Sequence, residues 1–382
     1  MQVYLVGGAV RDKLLGLDPK DKDYVVIGSS PEELLGQGFR KVGDGFPIYF
    51  HPDTKADYSL ADDLTTDLER RDLTINAMAI SPSGELIDPF GGQNDLKQKC
   101  LRHVSESFSD DPVRVFRVAR FKATYPGFSI DPATLDLMRK VVQSQSFKLI
   151  ATDRIFIEMK LALMSSKPSV FFEVLNSIDG LKTFFPEIET LKGVPQRAEY
   201  HPEGDVFTHT LLVLDSAADL TSDLIVRFSA LVHDLGKGAT AQDLLPKHHG
   251  HEEGGLPLVK QLGQRLKVPN DWMEGAAVVT KFHLKVHRLQ EMKASTIVRL
   301  FYEMDAFRKP SLVEVLARSC EADDLGKLRT GYAQGRLLEE YFKVIRIVSS
   351  KDVPQNLSGI SLGEAIQGER VRKLNDHIQS LL

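Results

Sequence analysis

The feature that most constrains the fold lies within the first thirty residues of the 382-residue chain. A short apolar run, Val3–Val6, leads directly into the glycine pair Gly7-Gly8, and the acidic segment Asp21-Lys22-Asp23 leads into a second apolar run, Tyr24–Ile27. Apolar runs of this length, bounded by glycine or by charged residues, are typical of short buried strands. We therefore predict a strand, a glycine turn and a helix, and then a second strand that is introduced by two alternating carboxylates.

Short strands and helical segments continue to alternate up to about residue 105. We predict strands at 2–6, 23–28 and 46–50, with turn signals between them. From about residue 110 the strand pattern fades and helical periodicity takes over, so the fold class is an α/β head followed by all-α regions. The four predicted domains are the head at 1–108, a helical neck and body at 109–200, a helical domain at 206–307 and a helical tail at 308–382.

The composition is that of an ordinary globular protein, with 42% hydrophobic and 26% charged residues. No apolar stretch is long enough to predict a membrane span, and the first residues lack a basic leader and an apolar h-region. The two cysteines, Cys100 and Cys320, suit a reducing compartment, so we expect a cytoplasmic protein without membrane partners. The net charge of −5 gives nucleic-acid binding no support by itself, so any such surface has to be locally basic.

Asp21 and Asp23 are candidate metal ligands. On a strand they point the same way, and two neighbouring carboxylates repel each other unless a cation lies between them. Mg²⁺ prefers oxygen ligands and also binds triphosphate oxygens, so the pair suits nucleotidyl transfer. Gly7-Gly8 allows close backbone approach, the following helix offers N–H groups to phosphate, and Arg11 adds a positive fork. A charged surface turn is the alternative interpretation, but the two motifs together, each attached to an apolar strand, favour the site.

An arginine pair opens the next motif, Arg70-Arg71-Asp72-Leu73-Thr74-Ile75-Asn76. Asp72 and Asn76 are four residues apart, so a helical turn would bring their polar groups to one face. Arg71 is our candidate for a contact with the triphosphate. Asp72 could instead be the N-cap of a helix, and capping does not exclude ligand binding.

Arginines recur every three residues in the segment Asp110–Phe121, at Arg114, Arg117 and Arg120. On a helix these side chains cover roughly a third of the circumference, with the apolar residues mostly opposite. A solvated basic face explains the spacing but not the absence of lysine and glutamate, so oriented hydrogen bonds to phosphate or to a base are favoured. Asp111 can accept from an exocyclic amine and Arg114 can donate to a ring acceptor, so the two could read a cytosine or an adenine without a template.

Taken in order, these motifs resemble those of the class II CCA-adding tRNA nucleotidyltransferases, and the resemblance covers nearly the whole chain. It implies a head with the DNA polymerase β-like nucleotidyltransferase fold, followed by a helical neck, body and tail. It also implies addition of C, C and A to tRNA from CTP and ATP by a monomer or homodimer. Asp21 and Asp23 would be the catalytic ligands of Mg²⁺, and Asp111 with Arg114 the base-reading pair. The other residues implied to contact the nucleotide are Gly8, Arg11, Arg71, Arg117 and Arg120.

Two departures from the family pattern bear on the activity. The usual Glu-Asp is Asp110-Asp111 here, and the segment 51–61 runs almost directly into 62–68, where the family has a flexible loop. Loss of that loop is associated with relatives that add only the two cytidines, so CC addition alone is one alternative. A poly(A) polymerase is another, although the tail at 363–382 is mixed in charge rather than basic. A third is a tRNA-binding or hydrolytic module with an inactive transferase site, against which the intact aspartates argue.

Six of the eleven histidines fall between His201 and His251. An apolar helical segment ends in His233-Asp234-Leu235-Gly236-Lys237, and His209 precedes it near the start of another apolar segment. Imidazole nitrogens and carboxylate oxygens are typical ligands of transition metals, and an open position would hold an activated water. An isolated histidine is more often a packed residue than a ligand, but the whole arrangement favours a metal site.

This arrangement resembles the HD-domain phosphohydrolases, and one bacterial subgroup of the family carries such a domain behind its head. The resemblance implies a site for Ni²⁺ or another divalent transition metal, with phosphatase, 2′-nucleotidase and 2′,3′-cyclic phosphodiesterase activity. The expected metal ligands are His209, His233, Asp234 and, as the distant aspartate, Asp305. The residues expected to line the site are His249, His251 and His283, whereas His287 is expected to be a helix-surface residue.

Overall fold

A computed structural model describes residues 1–19, 21–42, 48–327 and 331–381 of the chain. The chain divides into two compact units. The first unit comprises Met1–Glu158 with Glu173–Gly180, and the second comprises Met159–Phe172 with Leu181–Leu382. Among the helices of the described residues, none combines the length and the apolar character needed to cross a lipid bilayer.

A seven-stranded mixed sheet forms the centre of the first unit. Its strands are β1 Gln2–Val6, β2 Asp23–Ile27, β3 Arg40–Val42, β4 Ile48–His51, β5 Ala56–Ala61, β6 Ala79–Ile80 and β7 Leu86–Ile87. They lie in the order β3-β4-β5-β2-β1-β6-β7, with β2 and β5 parallel. The strand predicted at 2–6 is confirmed, and the strand predicted at 23–28 is found at Asp23–Ile27. The strand predicted at 46–50 is found at Ile48–His51, and positions 46–47 lie outside the described residues.

The central strand β2 is buried on both sides, which explains why its sequence is a continuous apolar run. Val25 and Val26 are both fully buried, although neighbouring side chains on a strand point to opposite faces. Val26 packs in one apolar cluster with Leu34, and Val25 packs in another with Leu68. Both faces of the sheet are therefore covered, and Asp23 is held as the first residue of this well-anchored strand.

Helices accompany the sheet in the first unit. They are α1 Gly8–Leu14, α2 Pro31–Gly36, α3 Leu64–Glu69, α4 Gly92–Gln98, α5 Arg114–Thr124, α6 Pro132–Gln143 and α7 Gln145–Lys148. A small parallel pair, β8 Cys100–Leu101 and β9 Ser129–Ile130, completes the unit. The connection from β5 to α3 consists only of Asp62 and Asp63. Asp63 caps α3, because its carboxylate accepts a hydrogen bond from the backbone N–H of Thr66 at 2.8 Å.

Helices make up the regular structure of the second unit, and the division between the units falls within the first two of them. They are α8 Thr152–Leu163, α9 Ser169–Ser177, α10 Leu181–Phe184, α11 Pro186–Glu189, α12 Val206–Leu220, α13 Leu224–Val232, α14 His251–Leu266, α15 Asn270–His287, α16 Ala294–Glu303, α17 Ser311–Gly326, α18 Gln334–Arg346 and α19 Gly359–Leu381. The core joins α12, α13, α15 and α17 through buried residues such as Val213, Ala230, Val279 and Leu316. The predicted succession of an α/β head and helical regions is confirmed.

Candidate functional site

Three carboxylates meet where β2 and β5 run side by side. Asp57 on β5 is the directly registered partner of Asp23 on β2, so their side chains lie on the same face of the sheet. Desolvation raises the pKa of Asp23, the positive charge of Arg71 opposes this, and the charges of Asp57 and Asp21 raise it further. The structure thus brings the two predicted acidic residues within electrostatic range of each other and adds Asp57 to them.

In the glycine turn before α1, the position whose backbone requires glycine is Gly7 rather than Gly8. Gly7 has φ +71° and ψ −137°, a backbone conformation that L residues with a side chain rarely adopt. A Cβ atom at Gly7 would also lie 2.7 Å from Nη1 of Arg71. Arg71 is held in this place by Asp67, whose Oδ2 accepts from Nη2 at 3.0 Å. The turn is therefore closely covered by the predicted triphosphate-binding arginine.

A buried polar chain connects α1 to the motif that follows α3. Nη1 of Arg11 donates to Oδ1 of Asn76 at 2.6 Å, and Nδ2 of Asn76 donates to Oδ1 of Asp72 at 2.9 Å. Oδ2 of Asp72 accepts from Nε of Arg117 at 2.7 Å. Burial alone would raise the pKa of Asp72, but the charge of Arg117 and the hydrogen bond from Asn76 lower it to about 2. The prediction that Asp72 and Asn76 share one face agrees with these contacts.

The other two arginines of the predicted stripe on α5 are held by carboxylates or carbonyls. Nε of Arg120 donates to Oε2 of Glu158 at 2.6 Å, and the guanidinium carbon of Arg120 lies 3.9 Å from the centre of the Phe121 ring. Arg114 donates to the backbone carbonyls of Ser107, at 2.6 Å, and of Arg70. These side chains are fixed in direction, as oriented recognition of a ligand requires.

Asp111 pairs with Arg154 in the structure. Nη1 and Nη2 of Arg154 donate to the two carboxylate oxygens of Asp111 at 3.0 and 2.6 Å, which is a two-pronged ion pair. Arg114 lies three residues further on at the start of α5, and its recorded hydrogen bonds go to backbone carbonyls instead. The predicted base-reading residues are therefore neighbours that are each held by a different partner.

Four buried side chains of the second unit form a cluster of histidine and aspartate. His209 lies on α12, His233 and Asp234 follow α13, and Asp323 lies on α17. Nε2 of His209 is 3.1 Å from Oδ1 of Asp323 and 3.5 Å from Oδ2 of Asp234. Nε2 of His233 is 3.2 Å from Oδ2 of Asp234. None of the four is more than 2% exposed, so their polar atoms are withdrawn from bulk water.

The hydrogen positions on these two imidazoles follow from their other neighbours. Nδ1 of His233 lies 2.8 Å from the carbonyl oxygen of Ala230, and Nδ1 of His209 lies 2.7 Å from a carboxylate oxygen of Glu203. Both oxygens only accept, so each Nδ1 carries a proton, and each Nε2 is the ring nitrogen that faces the aspartates. Burial would raise the pKa of Glu203, but its contacts with His209 and with its own backbone are among the causes that lower it to about 2.

Asp305 is not part of this cluster, which corrects the sequence prediction. It follows α16 with φ +57°, its side chain is 43% exposed, and its carboxylate lies 3.7 Å from Arg308. A left-handed residue commonly follows a helix end, and the side chain of Asp305 stays exposed there, whereas Asp323 is buried on α17. The distant aspartate of the cluster is therefore Asp323.

The prediction that His287 is a helix-surface residue is also wrong, because its ring contacts buried or partly buried neighbours. Its Nε2 is 2.6 Å from Oδ2 of Asp323, and its Nδ1 is 3.1 Å from the hydroxyl of Tyr332. His287 thus orients the carboxylate that faces His209. Two lysines complete the surroundings, with Nζ of Lys237 2.6 Å from Asp234 and Nζ of Lys327 2.7 Å from Asp323.

A cavity of about 1170 Å³ opens next to this cluster. Its lining includes Lys237, His249, His251 and Lys327, so the predicted lining residues His249 and His251 are placed as expected. His283 lies deeper, fully enclosed and 3.5 Å from Asp234. The cavity is wide enough for a nucleotide-sized group, and its lysines give it positive charge beside the buried aspartates.

Sequence reasoning missed several residues of both sites. They are Asp57, Glu158, Arg154, Glu203, Asp323 and Lys327. Asp323 carried a readable signal, because Leu316, Cys320 and Asp323 follow the helical spacing that places side chains on one buried face. A carboxylate on an apolar helix face is a strong hint of a buried partner.

Family models match three successive parts of the chain. The model described as "Poly A polymerase head domain" matches residues 3–46 and 48–102. The model described as "Probable RNA and SrmB- binding site of polymerase A" matches residues 127–192, and the model described as "HD domain" matches residues 206–309. Asp323 follows the end of the last match, so the buried cluster extends beyond it.

Relatives match the chain almost from end to end. A protein called "Multifunctional CCA protein" from Acinetobacter baumannii is 44% identical over 399 residues, which cover 98% of this chain and 97% of the relative. A protein of the same name from Paraburkholderia phymatum is 44% identical over 403 residues, which cover 97% of both chains. Both alignments are longer than the 382 residues of this chain, so these relatives contain segments that it lacks.

Solved structures share the fold over nearly the whole length. The Thermotoga maritima CCA-adding enzyme complexed with tRNA superposes with a TM-score of 0.65 at 22% identity, covering 98% of this chain and 87% of that chain. A CCA-adding enzyme complexed with ATP superposes with a TM-score of 0.66 at 21% identity, covering 100% and 89%. The predicted fold class, a nucleotidyltransferase-type head followed by helical regions, is confirmed.

Proposed function

The chain belongs to the family of the multifunctional CCA proteins, and from this premise we propose that it adds C, C and A to the 3′ end of tRNA from CTP and ATP. A second, hydrolytic activity resides in its HD domain. The observation that carries the proposal is the presence in one chain of an acidic site at the start of β2 and a buried histidine–aspartate cluster. A poly(A) polymerase is disfavoured, because the relatives that match nearly end to end are CCA proteins.

Asp21 and Asp23 are the residues that would hold Mg²⁺ in the head, with Asp57 beside them. All three are exposed and offer only carboxylate oxygens, which suits an ion that keeps part of its water shell. The repulsion among them, one of the causes that raise the pKa of Asp23, is relieved by a cation. When bound, Mg²⁺ supplies neutralisation of the triphosphate and activation of the tRNA 3′-hydroxyl.

The triphosphate would lie over the glycine turn, next to Arg71. Nε and Nη2 of Arg71 bind Asp67, and Nη1 lies beside Gly7, so a phosphate placed there meets a positive charge of fixed direction. Arg11 lies on α1, directly after the turn, where hydrogen bonds to Asp12 and Asn76 fix it, and it adds to the positive potential. Gly8, as the first residue of α1, contributes close backbone approach.

Base selection would fall to Asp111 and Arg114. Arg154 binds both oxygens of Asp111, and the backbone N–H of Val113 also donates to Oδ1, yet Oδ2 has a second lone pair that can accept from an exocyclic amine. We assign Arg154 the role of fixing the direction of Asp111. Arg117 and Arg120, held by Asp72 and Glu158, would support the nucleotide from α5.

Asp21→Asn tests the transferase assignment. Incorporation of labelled CTP into tRNA that lacks its last three nucleotides is expected to fall at least about 1000-fold, while tRNA binding is retained. Asp53→Asn, a change of an exposed aspartate in a turn before β5, serves as the matched control and should retain full incorporation. Incorporation by the Asp21 variant at the rate of the control would contradict the metal assignment.

A second candidate function is the addition of the two cytidines alone. The observation that favours it is the two-residue connection of Asp62 and Asp63 between β5 and α3, where the family carries a flexible loop. The 3′-terminal sequence of the product made with CTP and ATP together decides between the two. A product ending in CCA supports full addition, and a product ending in CC supports this alternative.

The histidine–aspartate cluster would hold a divalent transition metal such as Ni²⁺ through His209, His233, Asp234 and Asp323. Among the described residues, Nε2 of both histidines and Oδ1 of both aspartates are buried without a hydrogen-bond partner. This mixture of imidazole and carboxylate suits a transition metal. When bound, the metal supplies an activated water for phosphoester hydrolysis. Lys237 and Lys327 line the adjoining cavity and would neutralise the phosphate of the substrate.

We propose that the substrates of this second site are phosphorylated RNA ends, including 2′,3′-cyclic phosphates. The Thermotoga maritima relative was solved with tRNA, and we propose tRNA as the partner of this chain also. A monomeric or homodimeric state, a cytoplasmic location and the four domain boundaries stay predictions from the sequence.

A further inference from the structure

The cavity beside the histidine–aspartate cluster is larger than a phosphate group requires. Its volume of about 1170 Å³ exceeds the range of about 300–1,000 Å³ that is usual for pockets holding a whole small ligand. Lys237 and Lys327, which contact the aspartates of the cluster, belong to its lining, and so do four residues of the segment 196–201. The cavity therefore has room for more of the substrate than the phosphate that is hydrolysed.

The segment 196–201 is attached to the cluster at both of its ends. Nζ of Lys237 donates to Oε1 of Gln196 at 2.8 Å. The ring of His201 packs edge-on against the ring of His209, with 4.8 Å between the two ring centres. A side chain carried by this segment is therefore held at a constant distance from the site of hydrolysis.

A turn within this segment brings Arg197 and Tyr200 together on the wall of the cavity. The backbone N–H groups of Tyr200 and His201 both donate to the carbonyl oxygen of Arg197 at 3.0 Å. The guanidinium carbon of Arg197 lies 5.8 Å from the centre of the Tyr200 ring, which is 51% exposed. An exposed tyrosine is ordinary by itself, but an aromatic ring in the wall of a phosphate-binding cavity is a surface on which a nucleobase stacks.

Positive charge is in excess around the cavity, and part of it is unpaired. The described residues of the lining include six lysine or arginine side chains and three carboxylates. Four of the six cations form ion pairs, namely Lys237, Lys285, Arg288 and Lys327. Within the part of the chain that the structure describes, Arg197 and Lys247 have no carboxylate at ion-pair distance, and both are exposed. These two cations are therefore available to an anionic ligand.

The two unpaired cations lie in segments that are joined to each other. Nε2 of His248 donates to the carbonyl oxygen of Pro195 at 3.0 Å, and Nδ1 of His248 lies 2.8 Å from the hydroxyl of Thr240. Lys247 directly precedes this histidine, and Arg197 follows Pro195 by two residues. The contact thus brings the backbones next to both cations to one side of the cavity.

We propose that the cavity holds the terminal nucleotide of an RNA chain. The base of that nucleotide stacks on Tyr200, the phosphodiester on its 5′ side binds Arg197 and Lys247, and its 2′,3′-cyclic phosphate lies at the histidine–aspartate cluster. Water gives its hydroxide to phosphorus and its proton to the released ribose oxygen, so only the ring opens and the RNA chain stays intact. This inference rests on the proposed hydrolytic activity and deepens it by naming the residues that recognise an RNA end.

Three cyclic phosphates of increasing size test the stacking. They are cyclic glycerol phosphate, cytidine 2′,3′-cyclic phosphate and the dinucleotide CpC with a 2′,3′-cyclic end, and phosphorus NMR follows their hydrolysis by the full-length protein. Tyr200→Ala is expected to raise the KM of both cytidine substrates about 10-fold with little change in kcat. The KM of cyclic glycerol phosphate, which has no base, should stay unchanged. Tyr200→Phe, which keeps the ring, should restore the wild-type values.

The same substrates test the two cations. Arg197→Gln combined with Lys247→Gln is expected to raise the KM of the dinucleotide about 10-fold and to make it less dependent on salt. The KM of cytidine 2′,3′-cyclic phosphate, which lacks the phosphodiester, should stay unchanged. Arg308→Gln combined with Lys260→Gln removes the same charge from exposed positions that do not line the cavity, and it is the matched control.

An unchanged KM of the cytidine substrates in Tyr200→Ala would overturn the stacking, and an unchanged KM of the dinucleotide in the Arg197 and Lys247 variant would overturn the phosphate contact. Hydrolysis of none of the three substrates by wild type would instead overturn the proposed hydrolytic function. Calorimetric binding of the dinucleotide then still tests the recognition of an RNA end, because the same variants have to weaken it. The substituted side chains are exposed, and circular dichroism confirms that the variants are folded.

Discussion

The acidic site of the head and the histidine–aspartate site of the second unit are built in opposite ways. The acidic residues of the head are exposed, lie between Asp21 and Asp57 in the chain and offer oxygen alone. The histidine–aspartate site is buried, mixes nitrogen with oxygen and draws its residues from segments that extend from His209 to Asp323. An exposed oxygen site suits a hydrated ion that arrives with a nucleotide, whereas a buried mixed site suits a metal that stays bound.

The sharpest way to test that difference is to remove the buried site completely. His233→Ala combined with Asp234→Ala is expected to reduce hydrolysis of 2′,3′-cyclic phosphates at least about 1000-fold, because both an imidazole and a central carboxylate are lost. Addition of cytidine is expected to proceed as in wild type. Both rates are measured on the same preparations, with His377→Ala as the control. A parallel fall in cytidine addition would show that the two sites are not independent.

Glu203 offers a smaller change in the same site. Its carboxylate lies 2.7 Å from Nδ1 of His209 and fixes the proton there, so Glu203→Gln is expected to weaken metal binding about 10- to 100-fold. Competition with a chromogenic chelator measures the affinity, and cytidine addition should stay unchanged. Glu203→Asp should restore part of the affinity, because it keeps the negative charge. Equal affinity in Glu203→Gln and wild type would contradict a positioning role.

The head has its own buried carboxylate, whose contribution to stability depends on pH. The pKa of Asp72 falls from 3.8 to about 2 on folding, so the unfolded chain takes up the proton first as pH falls. The resulting stabilisation, about 2 kcal/mol, is present above pH 4 and disappears between pH 4 and pH 2. Asp72→Asn is expected to lower the free energy of unfolding in urea by this amount at pH 7 and much less at pH 2. An equal loss of unfolding free energy at both pH values would show that the lowered pKa of Asp72 is not the source of the stabilisation.

The smallest expected effect concerns the short connection into α3. Asp63→Ala removes the N-cap and is expected to lower the free energy of unfolding by about 1 kcal/mol. Asp62→Ala, at the neighbouring position, should change it by less than about 0.5 kcal/mol. Urea unfolding curves of the two variants give the comparison. If both variants lose the same stability, the hydrogen bond to Thr66 is not the cause.

The acidic pair and the His-Asp pair could both be predicted because each lies in a contiguous motif. Asp21 and Asp23 stand directly before an apolar run, and His233-Asp234 ends one. Asp323 escaped prediction because no motif surrounds it, although its helical spacing from Cys320 places it on a buried face. Asp305 was chosen as the distant aspartate that the family resemblance implies, and the sequence does not show that its backbone is left-handed or that its side chain is exposed.

Other residues were beyond the reach of local patterns. Asp57 joins the acidic site only because β2 and β5 pair in parallel with Asp23 and Asp57 in register, and a single sequence does not contain that pairing. Glu203 lies in a turn before α12, where no helical or strand periodicity indicates the direction of its side chain. The fold class was accessible because alternation and helical periodicity extend over long segments. The hydrogen-bond and ion-pair partners of single side chains could not be predicted from such patterns.

The distance along the chain between the two sites has a consequence during protein synthesis. Chains leave the ribosome from the N-terminus, so Asp21, Asp23 and Asp57 are available early, whereas Asp323 emerges only after more than four fifths of the 382 residues. A polypeptide released before that point would possess every residue of the acidic site in the head and lack Asp323 of the histidine–aspartate cluster. The acidic site is therefore complete in sequence long before the histidine–aspartate cluster is.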